Sequence, residues 1–311
     1  DQPRMSVGAL DVPLAAERAG IGQVVSSGLG LGHSVLRRPR IAFSLAVIAL
    51  VVLCAAAPGL VAPYDPLKPD LAARLAAPLA QHGGLHLLGT DSLGRDILSR
   101  VIFGARISAV VGASAVVLAG LIGVVLGLIA GFYGGVADAA ISRLADIALA
   151  LPYLVLAIGV VAVFGAGLAT VIAVLALSTW VTYARIVRGE VLAVRHSEFV
   201  EAARAIGASP ARLMFGHILP NVSSSIIVVA SQQLAAMILF EAALSFLGLG
   251  VSPPTPSWGG MVADGRLYVA QAWWVSTLPG IAILLTVLAA NWLGDWVRDT
   301  LDPRRIHIEQ D

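Results

Sequence analysis

Two charged clusters and one isolated carboxylate stand out from an otherwise apolar chain. The first cluster runs from Ser197 to Pro220. Ser197 can cap a helix whose opening turn carries Glu198 and Glu201, where carboxylates meet the positive helix end, and Gly207 offers the left-handed residue that closes it. Ser209 followed by Pro210 reads as the N-cap and first position of a second helix, which stops at Leu219-Pro220. Glu201, Ala202, Ala203, Arg204, Gly207, Ser209, Pro210, Leu219 and Pro220 therefore form helix, tight turn, helix, an elbow rigid enough to transmit force. The second cluster is Asp91, Arg95, Asp96 and Arg100. Thr90 or Asp91 is placed to cap a helix there, and Arg95 and Asp96 lie at its start, where they can pair with neighbouring polar loops. The isolated carboxylate is Glu241, inside an apolar run. It costs about 2.5 to 3.5 kcal/mol in a span, which a dozen Leu, Ile, Val and Phe at about 0.3 to 0.6 kcal/mol each offset. Its role is either packing and hydrogen bonding or proton relay. His82 and His86 have helical i, i+4 spacing, but Gly83-Gly84 breaks a helix between them, so they read as solvated loop residues and no metal is expected.

The elements that carry these residues follow from composition. Of 311 residues 58% are hydrophobic and only 13% charged, with a mean hydropathy of +0.88, more than a soluble core of this size needs. The expected class is an all-α polytopic membrane protein. A net charge of +1 gives no basic surface for nucleic acid. The single cysteine, Cys54, allows no intrachain disulfide, and the single lysine, Lys68, stands in Pro-Leu-Lys-Pro-Asp with no glycine run before it, which excludes a Walker A loop. No nucleotide cofactor is expected in this chain, so any ATPase must be a separate subunit. Neither a His-Glu-x-x-His motif nor a nucleophile with its base points to an enzyme.

Six spans are expected. An arm over residues 1–40, in which Gly28 to Gly32 reads as flexible, ends in Arg37, Arg38 and Arg40 before the first span, 41–62. A polar segment, 63–106, follows, and its end, Arg95 to Arg106, reads as a helix lying flat at the outer interface because Ile97, Leu98, Val101, Ile102 and Ala105 share one face. The core, 107–298, then holds spans 107–130, with Gly112, Gly120, Gly123 and Gly127 for close packing, 144–164, where Pro152 kinks the helix, 168–184, 222–247 and 275–293. A tail, 299–311, closes the chain. Arginines ahead of the first span and through Arg185, Arg188, Arg195, Arg204 and Arg212 place both termini and the elbow, about 190–220, in the cytoplasm, with Asp91 and Pro254 outside. Trp273-Trp274 suits an aromatic belt at the outer interface.

At four places the chain resembles the permease subunits of ABC importers for dipeptides and oligopeptides, the C-type subunit in particular. Glu201-Ala202-Ala203, Gly207 and Ile218-Leu219-Pro220 resemble their coupling motif; Leu88-Gly89-Thr90-Asp91-Ser92-Leu93-Gly94-Arg95-Asp96 and Pro253-Pro254-Thr255-Pro256-Ser257-Trp258-Gly259 resemble two outer segments; Leu301-Asp302-Pro303-Arg304 is similar to the usual ending. The resemblance implies a type I ABC importer permease fold in a bacterial cytoplasmic membrane. It also implies a second homologous permease, partner ATPase subunits that bind ATP and Mg2+ and are reached through the elbow, and an extracytoplasmic peptide-binding protein. Nickel and glutathione importers of the same subfamily share the pattern. The rival class is a secondary transporter with Glu241 as proton carrier, for which an elbow has no use.

Overall fold

In the computed structural model, residues 39–81 and 84–301 are described; the expectations for the arm ahead of Pro39, for His82 and for the ending from Asp302 onward fall outside them. The chain divides into two compact units, Asp1–Phe43 and Ser44–Asp311. Of the first, only Pro39 to Phe43 is described, as the opening of a helix that continues in the second, and every element after that helix belongs to the second.

Helix α1 spans Pro39–Ala56 and is followed by a helical turn, Pro58–Val61. The expected span to Ala62 is cut short because Pro58 forces Ala57 out of the helical region (φ −133°, ψ 57°). A two-stranded ribbon, β1 (Ala80–Gln81) and β2 (Leu85–His86), pairs Ala80 with His86. Helix α2 then runs unbroken over 37 residues, Ile97–Tyr133, about 55 Å at 1.5 Å per residue. This corrects the expectation of a separate interfacial helix from Arg95 to Arg106. Neither a proline nor a pair of glycines interrupts the stretch, and its polar first turns are satisfied in place: Arg106 donates from Nε to the Ala55 carbonyl (2.8 Å) and from a terminal nitrogen to that of Ala56 (3.1 Å).

A connection at Gly134 (φ 64°) leads to α3 (Gly135–Ala150) and α4 (Tyr153–Phe164), bent by 87° at Leu151-Pro152. The third span is thus a bent pair, not one kinked helix over Leu144–Phe164. Pro152 lacks an N–H and holds Leu151 extended (φ −91°, ψ 119°), and the 12 residues of α4 reach only about 18 Å. Helix α5 covers Leu168–Val194, α6 Glu198–Ala205 and α7 Pro210–Phe246, the last with a π-helical turn over Leu213–Ile218. Helix α8 is Trp258–Gly265 and α9 Trp274–Leu301. Among the described residues five helices are long and apolar enough to cross a bilayer, six crossings when the bent pair counts as one.

The closest helix pairing is α2 with α5. A Cβ added at Gly123 would stand 2.3 Å from the Trp180 carbonyl oxygen, and one at Gly127 would stand 2.7 Å from that of Ala184. The two backbones touch, which is how helices gain dispersion contact in lipid, where apolar burial alone gives no preference for protein over acyl chains. Gly131, not singled out by the sequence, extends the same seam against Val191, whereas Gly112 faces Ile238 on α7. Ion pairs fasten α3 to α5: Arg188 donates to Asp138 Oδ2 at 2.7 Å, and Arg185 to Asp146 at 3.1 Å. Buried apolar clusters carry the rest, two of them between α5 and α7. One joins Val111, Val174, Met237 and Leu244 in the half toward α8; the other joins Leu128, Val191, Val200, Leu213 and Ile218 beside the elbow.

Candidate functional site

The elbow's turn is built by hydrogen bonds that only a left-handed residue allows. Gly207 has φ +86°; its N–H donates to Arg204 O (3.0 Å), and the Ala208 N–H donates to Ala203 O (3.1 Å). These are the paired bonds of a Schellman C-cap. At the other end Ser197 holds the N-cap conformation but not the expected cap bond: its hydroxyl donates back to Val194 O (2.7 Å), leaving the first turn to the acidic side chains and the Ser197 carbonyl. Ser209 accepts from Arg212 N (3.4 Å), with Pro210 in the first turn.

The second helix does not stop at Leu219-Pro220. The π-turn sends Leu219 N–H to Met214 O, five residues back, and the wider coil relieves the clash a proline ring makes with the carbonyl four residues before it. The elbow is therefore continuous with membrane helix α7. Its inward face is Val200 and Ala203, buried against Leu128, Val191, Leu213 and Ile218; Ala203 packs into the body and is not on the outer surface with Ala202. What faces outward is Glu201, paired with Arg204 (2.9 Å) and His196 (3.4 Å), and a set of apolar side chains: Ile206, 87% exposed, with Phe199 and Phe215. The two phenylalanines were missed; aromatic residues interleaved with charge in a polar segment were the available signal.

The second cluster forms a hub at the opposite end of α2. Asp91, 4% exposed, accepts from the backbone of Leu93 (2.8 Å) and Arg95 (3.0 Å) through Oδ1, and from Arg95 Nε (2.7 Å) through Oδ2, which also faces Arg100 Nε at 3.5 Å. It organises the loop; the helix cap is Asp96, which accepts from Ser99 N (2.8 Å) and Ser99 Oγ (2.7 Å). Thr90 is buried, accepts from Ala76 N (2.8 Å) and donates to Ala73 O. The sequence thus brings Asp91, Arg95, Asp96 and Arg100 together, with the capping roles exchanged.

Three further residues close the hub where sequence reasoning placed them elsewhere or not at all. His86 is buried, with Nδ1 3.0 Å from Asp96 Oδ1 and its ring against Tyr64, and is not a solvated loop residue; the β-ribbon carries it inward. Trp274 is buried and donates to Thr90 O (3.3 Å), so only Trp273 of that pair is exposed. Trp258 donates to Val101 O (2.8 Å) and covers Gly104. Among the described residues no cluster of three metal-ligating side chains is present.

Between this hub, the end of α7 and α8 lies a cavity of about 710 Å³ lined in part by Arg95, Arg100, Ser245, Asp264, Arg266 and Tyr268. Burial of its carboxyl end pushes Asp264 above the usual carboxylate range, while the guanidiniums of Arg100 and then Arg95 pull it down.

Glu241 sits just below that cavity, one turn from Ser245. Its side chain is fully buried, accepting from Ser108 Oγ (3.0 Å) on α2 and Ser245 Oγ (2.8 Å) on α7. A glutamine keeps an acceptor for one serine and offers a donor to the other. Glu241→Gln is therefore expected to hold thermal stability within about 1 kcal/mol of wild type, and Glu241→Ala to lose about 2 to 3 kcal/mol through the two unsatisfied hydroxyls and the cavity left behind. Thermal unfolding of the purified protein in detergent reads both, and equal losses for the two variants would show that charge, not hydrogen bonding, is what the site needs.

The architecture is that of the membrane-spanning subunit of an ABC importer. It superposes on a chain of the inward-facing MetNI methionine ABC transporter with a TM-score of 0.54 at 18% identity, covering 66% of this chain and 98% of that one. Residues 123–307 match the family described as binding-protein-dependent transport system inner membrane component, and the chain belongs to that family. It is 47% identical over 262 residues to the di/tripeptide transport system permease protein DppC of Pseudomonas aeruginosa, covering 84% of this chain and 86% of that protein. The glutathione transport system permease protein GsiD of Pectobacterium atrosepticum is 46% identical, with 70% and 73% covered. The probable D,D-dipeptide transport system permease protein DdpC of Escherichia coli is 42% identical, with 84% and 86% covered.

Proposed function

We propose that this chain is one of two homologous permease subunits in an ATP-driven importer of short peptides, and that the elbow couples it to a separate ATPase. The observation that carries the reading is the elbow itself: α6 and the start of α7 set an exposed Glu201, Phe199, Ile206 and Phe215 on a rigid turn that is one piece with a membrane helix. A rigid-body movement of that surface reaches α7 without passing through a loop. The likeness to permeases named for di/tripeptides, D,D-dipeptides and glutathione, itself a tripeptide, supports short peptides as cargo. ATP and Mg2+ would be held by the ATPase partners, peptide delivery would fall to an extracytoplasmic binding protein, and no cofactor is needed in this chain.

The hub would face the outside and the elbow and both termini the cytoplasm, as the arginine distribution requires. Single cysteines test this orientation. In intact cells, a membrane-impermeant thiol reagent is expected to modify a cysteine at Leu93 or Pro254 and to leave one at Glu201 untouched until the cells are opened. Labelling of the Glu201 position from outside would invert the topology and remove the elbow from any cytoplasmic partner.

A further inference from the structure

We infer that the cavity beside the hub is a subsite for the charged ends of the cargo, with Arg100 and Arg266 receiving a peptide carboxylate and Asp264 a peptide ammonium. The inference rests on the short-peptide reading above. Three observations carry it. First, Arg100 lines the cavity although it is 4% exposed. A guanidinium has five N–H donors, yet among the described residues the acceptors of Arg100 are Pro66 O at 3.4 Å and Asp91 Oδ2 at 3.5 Å, both at the long limit, and that same oxygen is already engaged by Arg95 at 2.7 Å. A buried cation so loosely held has most of its hydrogen-bonding capacity left for an incoming anion. Second, Arg266 lines the same cavity, packed over the Phe246 ring at 5.7 Å. Third, the opposite charge is supplied by Asp264, near enough to Arg100 and Arg95 to feel both.

Opposite charges lining one cavity match a zwitterion, and about 710 Å³ falls in the range of roughly 300 to 1,000 Å³ typical of small-ligand sites. The floor lies next to Ser245, which holds Glu241, so a bound peptide would sit at the top of the membrane helices. A docking protein is disfavoured by the same geometry, since Arg100, the most deeply buried of these cations, lines a concavity and not a protruding surface.

The test uses the complete transporter in proteoliposomes with saturating loaded binding protein and three radiolabelled forms of one dipeptide: free at both ends, amidated at the C-terminus, and acetylated at the N-terminus. The binding protein is identical in every arm, so its own preference cancels when uptake ratios of variant and wild type are compared. Loss of a charge-assisted hydrogen bond predicts that Arg266→Gln lowers the free-to-amidated ratio about tenfold and leaves the free-to-acetylated ratio unchanged. Asp264→Asn is expected to do the reverse, and Arg266→Lys to keep both ratios within about twofold. Arg266 and Asp264 lie at the exposed rim, so neither exchange disturbs the core. Wild-type uptake with both ratios unmoved, or an equal loss of all three peptides in either variant, overturns the inference while leaving the peptide reading intact. Absence of uptake for every form by the wild-type transporter overturns that reading and the inference with it.

Discussion

Asp91→Ala is expected to destabilise the hub by about 3 to 5 kcal/mol, the cost of leaving a buried ion pair half broken. One carboxylate that is almost fully buried serves two backbone N–H groups and the guanidiniums of Arg95 and Arg100. Alanine would strand the Arg95 guanidinium, whose side chain is 12% exposed, take from Arg100 the carboxylate it faces at 3.5 Å, and release the turn that brings Leu93 O to Asp70 N (3.1 Å) and Asp91 O to Leu75 N (3.0 Å). Asp91→Asn keeps acceptors for the backbone and loses only the charge, so its cost should fall between wild type and alanine. Thermal unfolding in detergent should show a drop of roughly 5 to 10 °C for the alanine variant. An unchanged midpoint would mean that the hub is held by Thr90, His86 and the two buried tryptophans without help from the charges.

Gly207→Val has the larger consequence for function. No atom lies within 4 Å of the site a Cβ would occupy, so the whole cost is backbone: φ +86° disfavours a side chain by roughly 1 to 2 kcal/mol, and a β-branched one most. The turn can escape only by giving up the Gly207-to-Arg204 and Ala208-to-Ala203 bonds, which reorients α6 relative to α7. Folding and insertion depend on the membrane helices and should survive. The presented surface at Glu201, Phe199 and Ile206 would not keep its direction. Gly207→Asn, which tolerates the left-handed region, separates backbone from bulk and should keep most of the transport lost in the valine variant.

How far the sequence could be read follows from what each feature depends on. Gly207, Ser209 and Pro210 act through local backbone chemistry and were legible residue by residue, as were five of the six expected crossings, which need only apolar length. Boundaries failed where a distant partner decides them. Arg106 looked like the end of an interfacial helix until the carbonyls of Ala55 and Ala56, half a hundred residues away, were seen to satisfy it. Pro220 looked like a stop because a π-turn leaves no mark in local propensity. Pro152 announced a kink, but not that it would divide the span into two helices at 87°. His86 and Trp274 looked like surface residues because their partners, Asp96 and Thr90, are joined to them only by tertiary structure. Asp264 carried no local signal at all; its neighbours Arg95 and Arg100 come from the other side of the hub.

The measurement that bears most directly on coupling is peptide uptake per ATP hydrolysed, taken on proteoliposomes that hold the complete transporter with either wild-type or Gly207→Val permease. Wild type should take up peptide only with ATP and the loaded binding protein. The valine variant should lose at least about tenfold in uptake while ATP hydrolysis continues, the pattern of an engine whose linkage is bent. Wild-type uptake by Gly207→Val, with hydrolysis still stimulated by the loaded binding protein, would contradict the assignment of the elbow as the coupling element.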